Sequence, residues 1–267
     1  MFTIQEYAMP ETLQEAYDIL KAQRSNVILG GCAWLRLGSR RIRTAVDLSK
    51  CGLDFIRENG EFIEIGAMTS YHSVAASDLL KSVFDGVIAS CVTSIIGVQF
   101  RNTVTVGGSV YGRFGFSDFL TPLLALDTRI VLFNRGEVPL KDFMTMPYEK
   151  DIVVMVRIRK DGRHLSYQNM RNSRGDFPIL NLAVSYGEAQ GFTVTVGARG
   201  PKAVRAEKTS AYLTGHCRQK DEALLQGACD LLVSEVSFTD NMRASADYRR
   251  LISQVFLKRA VREVTGW

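Results

Sequence analysis

Paired cysteines, clustered histidines, long apolar runs and the common nucleotide fingerprints are all missing from this chain of 267 residues, and each absence removes a class of function. Its five cysteines, Cys32, Cys51, Cys91, Cys217 and Cys229, show no C-x-x-C spacing, so no iron–sulfur or structural zinc pattern is present. An odd count suits reduced thiols in a cytoplasmic protein. The three histidines, His72, His164 and His216, stand far apart in sequence, and no metal site is expected. Met1–Glu6 lacks the basic-then-apolar order of a secretion signal, and no apolar run approaches a membrane span. With only 6 prolines and 46% hydrophobic residues, the chain is composed like a folded protein. The net charge of +5 is a small excess of 33 Lys and Arg over 28 Asp and Glu. Nucleic-acid binders concentrate their positive charge in a stripe, so none is expected here. The Arg36–Arg43 cluster reads as a solvated loop or a surface for a partner protein. Neither G-x-G-x-x-G nor G-K-[ST] occurs, which excludes the Rossmann turn and the P-loop.

What is present is a regular alternation of short elements. Thr12-Leu13-Gln14-Glu15 after Pro10 is a capping box, with Leu13, Ala16, Tyr17 and Leu20 on one helical face. Val27–Leu29, Ala45–Leu48 and Phe62–Gly66 read as strands. Apolar spacing predicts a helix over Val83–Ile95, and a strand over Val104–Val106. Ser117-Asp118 starts a helix that carries Leu120, Leu123 and Leu124 inward. Arg129–Phe133 and Ile152–Ile158 read as strands, and the polar turn Lys160–Arg163 marks a domain boundary. Beyond it, Leu180–Tyr186 and Phe192–Ala198 form a hairpin, followed by helices over Ala223–Val233 and Ala246–Val264. The last helix is expected to turn Tyr248, Leu251, Ile252, Val255 and Phe256 inward, with Arg249, Arg250, Lys258 and Arg259 more exposed.

Two glycine pairs carry the chemistry. Leu29-Gly30-Gly31-Cys32 and Thr105-Val106-Gly107-Gly108-Ser109 each follow an apolar stretch. Glycine admits φ > 0 and close approach, so successive N–H groups in such a bend converge on an anion. Hydrogen bonds to a charged group return about 1.5–3 kcal/mol each, so several donors can hold a diphosphate out of bulk water. Thr105 and Ser109 add hydroxyls, and Asp118 is placed to accept from a ribose hydroxyl or to strengthen the following helix start. A glycine pair at a strand end is also an ordinary turn. Trp34, Tyr111, Phe114 and Phe116 lie near these bends as candidates to cover a planar ring, or as packing.

These residues resemble a family. Val27–Leu35 is similar to the strand-loop segment A-G-G-[TS]-[DN]-L of the FAD-binding (medium) subunits of molybdenum hydroxylases, the xanthine dehydrogenase and carbon monoxide dehydrogenase family. Gln99–Ser109 resembles its Q-I-R-N-x-G-T-[IV]-G-G-[NS], and Ser117–Asp127 its A-D-x-x-P-x-L-L-A-L-D. Ala198–Pro201, Arg205-Ala206 and Arg243–Arg249 match its C-terminal pattern. The likeness runs through nearly the whole chain in order.

The resemblance implies an α+β fold: a two-lobed, PCMH-like FAD-binding domain over residues 1–162, then a smaller domain over 163–267 with an antiparallel sheet and helices. It implies that FAD is held by Val27, Ile28, Leu29, Gly30, Gly31, Cys32, Ala33 and Trp34 from the first bend, and by Thr105, Val106, Gly107, Gly108 and Ser109 from the second. Asp118 contributes too. Ile152 and Tyr167 match positions near the isoalloxazine ring, and Asp176 matches an acidic residue after the boundary. No side chain is implicated as a general acid or base. In such a family electrons leave substrate at a molybdopterin large subunit, cross an iron–sulfur small subunit, reach FAD, and go on to NAD or another acceptor. Cys32 stands where a hydroxyl residue is usual, Tyr111–Gly115 is bulkier than the pattern, and Gln168 is near a usual lysine. Cys32 and Arg113 motivate an alternative, a flavin-free assembly or docking subunit of the same fold.

Overall fold

The computed structural model describes residues 1–216 and 221–267; Cys217, one of the thiols expected to be reduced, lies outside the described residues. The chain divides into two compact units. The first takes residues 1–77, 97–112 and 128–159, and the second 78–96, 113–127 and 160–267. The turn at Lys160–Arg163 therefore opens the last and longest stretch of the second unit, while two earlier stretches also belong to that unit.

In the first unit, strands β1 (Thr3–Ala8), β2 (Val27–Leu29) and β3 (Arg41–Asp47) form a parallel sheet in the order β1-β3-β2. Helix α1 (Leu13–Ala22) connects β1 to β2 and buries Ala16 and Leu20. Thr12 Oγ1 accepts the Glu15 N–H at 3.2 Å, and the Glu15 carboxylate reaches back to the Glu11 N–H at 3.2 Å, one residue before the usual partner in a capping box. Asn26, buried in front of β2, donates to Ile19 O at 2.7 Å and accepts the Thr44 N–H at 3.1 Å, tying helix to sheet. Lys150 closes the C-terminal end of α1 by donating to Leu20 O (3.0 Å), Gln23 O (2.6 Å) and Asn26 O (3.0 Å). Burial, followed by the charges of Lys21 and Arg40, lowers the Lys150 pKa from the ordinary amine value.

Strands β4 (Ile56–Asn59), β5 (Phe62–Gly66), β6 (Thr128–Leu132), β7 (Gly136–Pro139) and β8 (Val153–Arg159) make an antiparallel sheet in the order β4-β5-β8-β6-β7. Its middle strands bury Ile63, Ile65, Ile130, Val156 and Ile158. The buried Glu64 on β5 pairs with Arg57 (2.9 Å) and Arg157 (3.3 Å). Burial alone would raise this carboxyl, but hydrogen bonds from Arg57 and Asn59 and the two guanidinium charges hold it below its ordinary value. Helices α2 (Val98–Thr103) and α3 (Val106–Gly112) belong to the same unit.

The second unit departs from the sequence reading at its start. No continuous helix runs over 83–95. Phe84, Asp85 and Gly86 take φ of 50°, 55° and 70°, a left-handed turn, and only one helical turn follows at Val87–Ser90. The turn is held from outside the segment: the Asp85 carboxylate accepts the Leu165 N–H at 2.8 Å and faces the His164 ring at 3.1 Å. Periodicity saw the apolar spacing but not this tertiary anchor.

Helix α4 (Leu120–Leu124) is buried throughout, and the Ser117 hydroxyl accepts the Leu120 N–H at 3.1 Å. Strands β9 (His164–Met170), β10 (Leu180–Gly187), β11 (Gly191–Gly197) and β12 (Val204–Arg205) form an antiparallel sheet in the order β12-β11-β10-β9, with the expected hairpin at its centre. Helices α5 (Glu207–Gly215), α6 (Glu222–Glu235) and α7 (Ala246–Thr265) pack their apolar residues with it.

The face of α7 is rotated from the expected one. Ile252, Phe256, Leu257, Ala260, Val261 and Val264 go inward, whereas Tyr248, Leu251 and Val255 are exposed. Arg249 is only 1% exposed. Its guanidinium donates to Ile179 O (2.8 Å), Ala244 O (3.0 Å), Thr239 O and Asn241 Oδ1 (2.7 Å). These acceptors satisfy a buried cation that periodicity alone assigned to solvent.

Candidate functional site

The first glycine bend begins where the edge strand β2 stops. Gly31 and Cys32 both take positive φ, 75° and 59°, and the chain returns to the right-handed region at Trp34. Such a change of hand turns successive N–H groups toward one side and makes an anion-binding concavity. Among the described residues, the N–H groups of Gly31, Cys32 and Ala33 have no hydrogen-bond partner, while the Cys32 carbonyl accepts the Arg36 N–H at 3.1 Å. The bend is half-buried, from Val27 through Ala33, and Trp34 is exposed. Burial, reinforced by the Asp47 charge, pushes the Cys32 thiol up from its ordinary pKa, so it acts as a neutral small side chain rather than a thiolate.

The second pair is built differently, which corrects the expectation of a strand end offering free amides. Gly107 and Gly108 lie in the first turn of α3, and every N–H there is already bonded. Val106 donates to Thr69 O (2.9 Å), Gly107 to Ala67 O (2.7 Å), Gly108 to Thr105 Oγ1 (3.2 Å) and Ser109 to Thr105 O (3.1 Å). The Ser109 hydroxyl donates to the same carbonyl at 3.0 Å. These glycines serve close approach instead. A Cβ on Gly108 would stand 2.5 Å from Gly30 O, one on Gly30 would stand 3.0 Å from Gly108 Cα, and one on Gly107 would stand 2.7 Å from Ala67 Cβ. A Cβ on Gly31 would fall 1.8 Å from Thr103 O. The segment Thr103–Gly108 is thus the surface on which the first bend is seated.

This geometry fits a dinucleotide diphosphate at the first bend, where three main-chain donors without partners lie beside a backbone stripped of side chains. The second bend supplies shape rather than donors.

The other expected residues separate by unit. In the first, Ile152 is buried where β8 begins, its N–H on Asp151 Oδ1 (2.8 Å) and its carbonyl accepting the Phe133 N–H (2.9 Å). In the second, Asp118 and Tyr167 meet directly: the phenol donates to Asp118 Oδ1 at 2.5 Å. Arg171 donates to the same oxygen and, at 2.6 Å, to the carbonyl of Asp176. The Asp176 carboxylate takes Arg243 at 2.9 Å and the Phe177 N–H at 2.7 Å, and the Arg243 hydrogen bond, ahead of that amide, keeps it below the ordinary carboxylate range. Burial pushes Asp118 up, with Arg171 and Tyr167 opposing, and pushes the Tyr167 phenol well up. Tyr111 packs edge-on against Tyr148, centroids 6.0 Å apart, whereas Phe114 stacks on Phe116 at 5.3 Å and Phe116 meets Phe177 at 4.6 Å. Arg171 was missed by the sequence reading because its buried carboxylate partner, Asp118, comes from a distant segment, as does Ser94, and no local spacing marks it.

Comparison with known proteins places this geometry in a family. The family described as FAD binding domain in molybdopterin dehydrogenase matches residues 2–159, and that described as CO dehydrogenase flavoprotein C-terminal domain matches residues 165–264. The glyceraldehyde dehydrogenase medium chain of Sulfolobus acidocaldarius is 24% identical, over 97% of this chain and 97% of that one. The carbon monoxide dehydrogenase medium chain of Hydrogenophaga pseudoflava is 25% identical, over 96% of this chain and 95% of its own. Among solved structures, carbon monoxide dehydrogenase from Hydrogenophaga pseudoflava shares the fold with a TM-score of 0.87 at 23% identity, covering 99% of this chain and 98% of that chain. Quinoline 2-oxidoreductase from Pseudomonas putida 86 does so with a TM-score of 0.87 at 19% identity and the same coverage. With a match over more than half of its length, the chain belongs to the FAD-binding domains of molybdopterin dehydrogenases and is an FAD-binding oxidoreductase subunit.

Proposed function

We propose that the chain is the electron-relay subunit of a molybdenum hydroxylase complex. It would receive electrons from an iron–sulfur small subunit, fed by a molybdopterin large subunit, and deliver them to NAD or another acceptor. Residues 1–162 would form the FAD-binding domain and 163–267 the C-terminal domain. The redox chemistry is the flavin's: when bound, FAD takes up electrons and passes them on singly or as hydride.

The chain's own task is to hold and orient that group. The amides of Gly31, Cys32 and Ala33 would hold the diphosphate, backed by Val27–Leu29 and seated on Thr105–Ser109. Trp34 is exposed at the end of the bend, Asp118 would accept from a nucleotide hydroxyl, Ile152 and Tyr167 would lie nearer the ring, and Asp176 would contribute as the acidic residue after the domain boundary. The observation that carries this reading is the run of three amides without partners among the described residues, at Gly31 and Cys32, both with φ > 0, and at Ala33 after them. No helix among the described residues is long and apolar enough to cross a membrane; the complex is proposed to be cytoplasmic.

FAD released on denaturing the purified chain is expected to approach one per chain, and the chain to co-purify with an iron–sulfur partner. The second reading, a flavin-free assembly subunit, draws on Cys32 replacing a hydroxyl and on the amides already bonded in the second bend. It predicts no flavin spectrum even after incubation with FAD, and that result would remove the relay reading.

A further inference from the structure

The second unit contains a buried polar hub. Arg171 and Asp118 are both more than nine-tenths buried as side chains. Arg171 Nη2 reaches Asp118 Oδ1 and, at 3.2 Å, Ser94 Oγ, while Nη1 reaches Asp176 O at 2.6 Å and Nε reaches Asn169 Oδ1 at 3.3 Å. One guanidinium thus pins the helix-start segment, the 91–96 stretch and the loop after β9. Tyr167 also donates to Asp118 Oδ1. No other side chain among the described residues reaches Oδ2.

We propose that Arg171 is a positioning residue for the cofactor: by fixing Oδ1 and the rotamer of Asp118, it leaves Oδ2 as a fixed acceptor for a hydroxyl of the flavin nucleotide. This rests on the reading that Asp118 contacts FAD. Two donors on one oxygen and none from a side chain on the other is an asymmetry that a purely structural ion pair does not need. A guanidinium fork, held at its other nitrogens, can hold a carboxylate in one orientation where a flexible ammonium cannot. Among the described residues, the charged and titratable groups shown to act on the Asp118 carboxyl or to be acted on by it are Arg171, Tyr167 and Cys91, and of these Arg171 is the cation. Burial already pushes the Asp118 carboxyl up, and removing Arg171 must push it further, so that it takes a proton nearer neutral pH.

The test measures FAD affinity of the full chain, stripped of flavin, by quenching of added FAD across pH, with melting temperature recorded beside it. Wild type is expected to bind with a flat profile between about pH 6 and 8.5. Arg171→Met should bind about tenfold more weakly at the acid end and recover toward alkaline pH, because the protonated carboxyl is a poorer acceptor. The double variant with Asp118→Asn should be weak and flat. Arg171→Gln, which keeps donors without the charge, should show the same acid-side loss at smaller size and covers the case in which Arg171→Met does not fold. A flat profile in both Arg171 variants, or a uniform loss that follows melting temperature, overturns the proposal while Asp118→Asn still weakens FAD. If Asp118→Asn leaves FAD affinity unchanged, the reading of Asp118 fails and the proposal with it.

Discussion

The two glycine pairs look alike in sequence and do opposite work. Gly30-Gly31 opens a bend of reversed hand in which, among the described residues, the N–H groups of Gly31, Cys32 and Ala33 have no partner, while Gly107-Gly108 sits inside the first turn of a helix whose N–H groups from Val106 to Ser109 are all bonded. At the first, glycine is needed for φ as well as for closeness, since Gly31 is left-handed and a Cβ on it would fall 1.8 Å from Thr103 O. At the second it is needed for closeness, since the α3 backbone packs directly on Gly30 and Ala67. A glycine pair therefore signals that backbone comes close to something. Whether that is a ligand or another strand of the same chain depends on where the hydrogen bonds go.

The sharpest way to break this contrast is Gly31→Ala. The new Cβ would lie 1.8 Å from Thr103 O at a φ of 75°, so strain and clash combine. We expect about 3 kcal/mol of lost stability and less than about a tenth of the FAD content to survive desalting. Denaturant unfolding and released flavin read the two effects separately. Full flavin content in this variant would show that the first bend is not the anion site.

Gly108→Ala is expected to act less strongly and by displacement. Its Cβ would stand 2.5 Å from Gly30 O, pushing the first bend off its seat, while alanine in a helix returns up to about 1 kcal/mol of propensity. A net loss of about 1–2 kcal/mol and a several-fold weaker FAD affinity are the expected outcome. Unchanged affinity would mean that the two bends are not mechanically coupled.

The same contrast explains what could be read in advance. Signals confined to a few neighbouring residues came through: the Thr12 cap of α1, the Leu180–Gly197 hairpin and the position of the first bend. What failed depended on distant partners. The helix expected over 83–95 gives way to a left-handed turn anchored by Leu165 and His164. The inward face of α7 is set by an arginine whose acceptors come from residues 179 and 239–244. In the site, the Thr103–Gly108 segment was mistaken for a donor strand because its carbonyl acceptors, Thr69 and Ala67, lie some forty residues away. Arg171 had no local signature at all. Hydrogen-bond destination is a tertiary property, and spacing does not encode it.

Ser109→Ala gives the smallest expected effect and the finest discrimination. The resemblance assigns this hydroxyl to the cofactor, but here it donates back to Thr105 O at 3.0 Å, a carbonyl that also accepts the Ser109 N–H at 3.1 Å. Removing a hydroxyl that bonds back within its own helix leaves that carbonyl satisfied, so stability should change by no more than about 0.5 kcal/mol. FAD affinity should stay within about twofold, since no more than a fraction of one hydrogen bond is at stake. A tenfold loss would mean that the Ser109 oxygen accepts or donates to the nucleotide despite its internal bond. The second bend would then supply chemistry as well as shape, and the distinction between the two glycine pairs would narrow to their backbone amides alone.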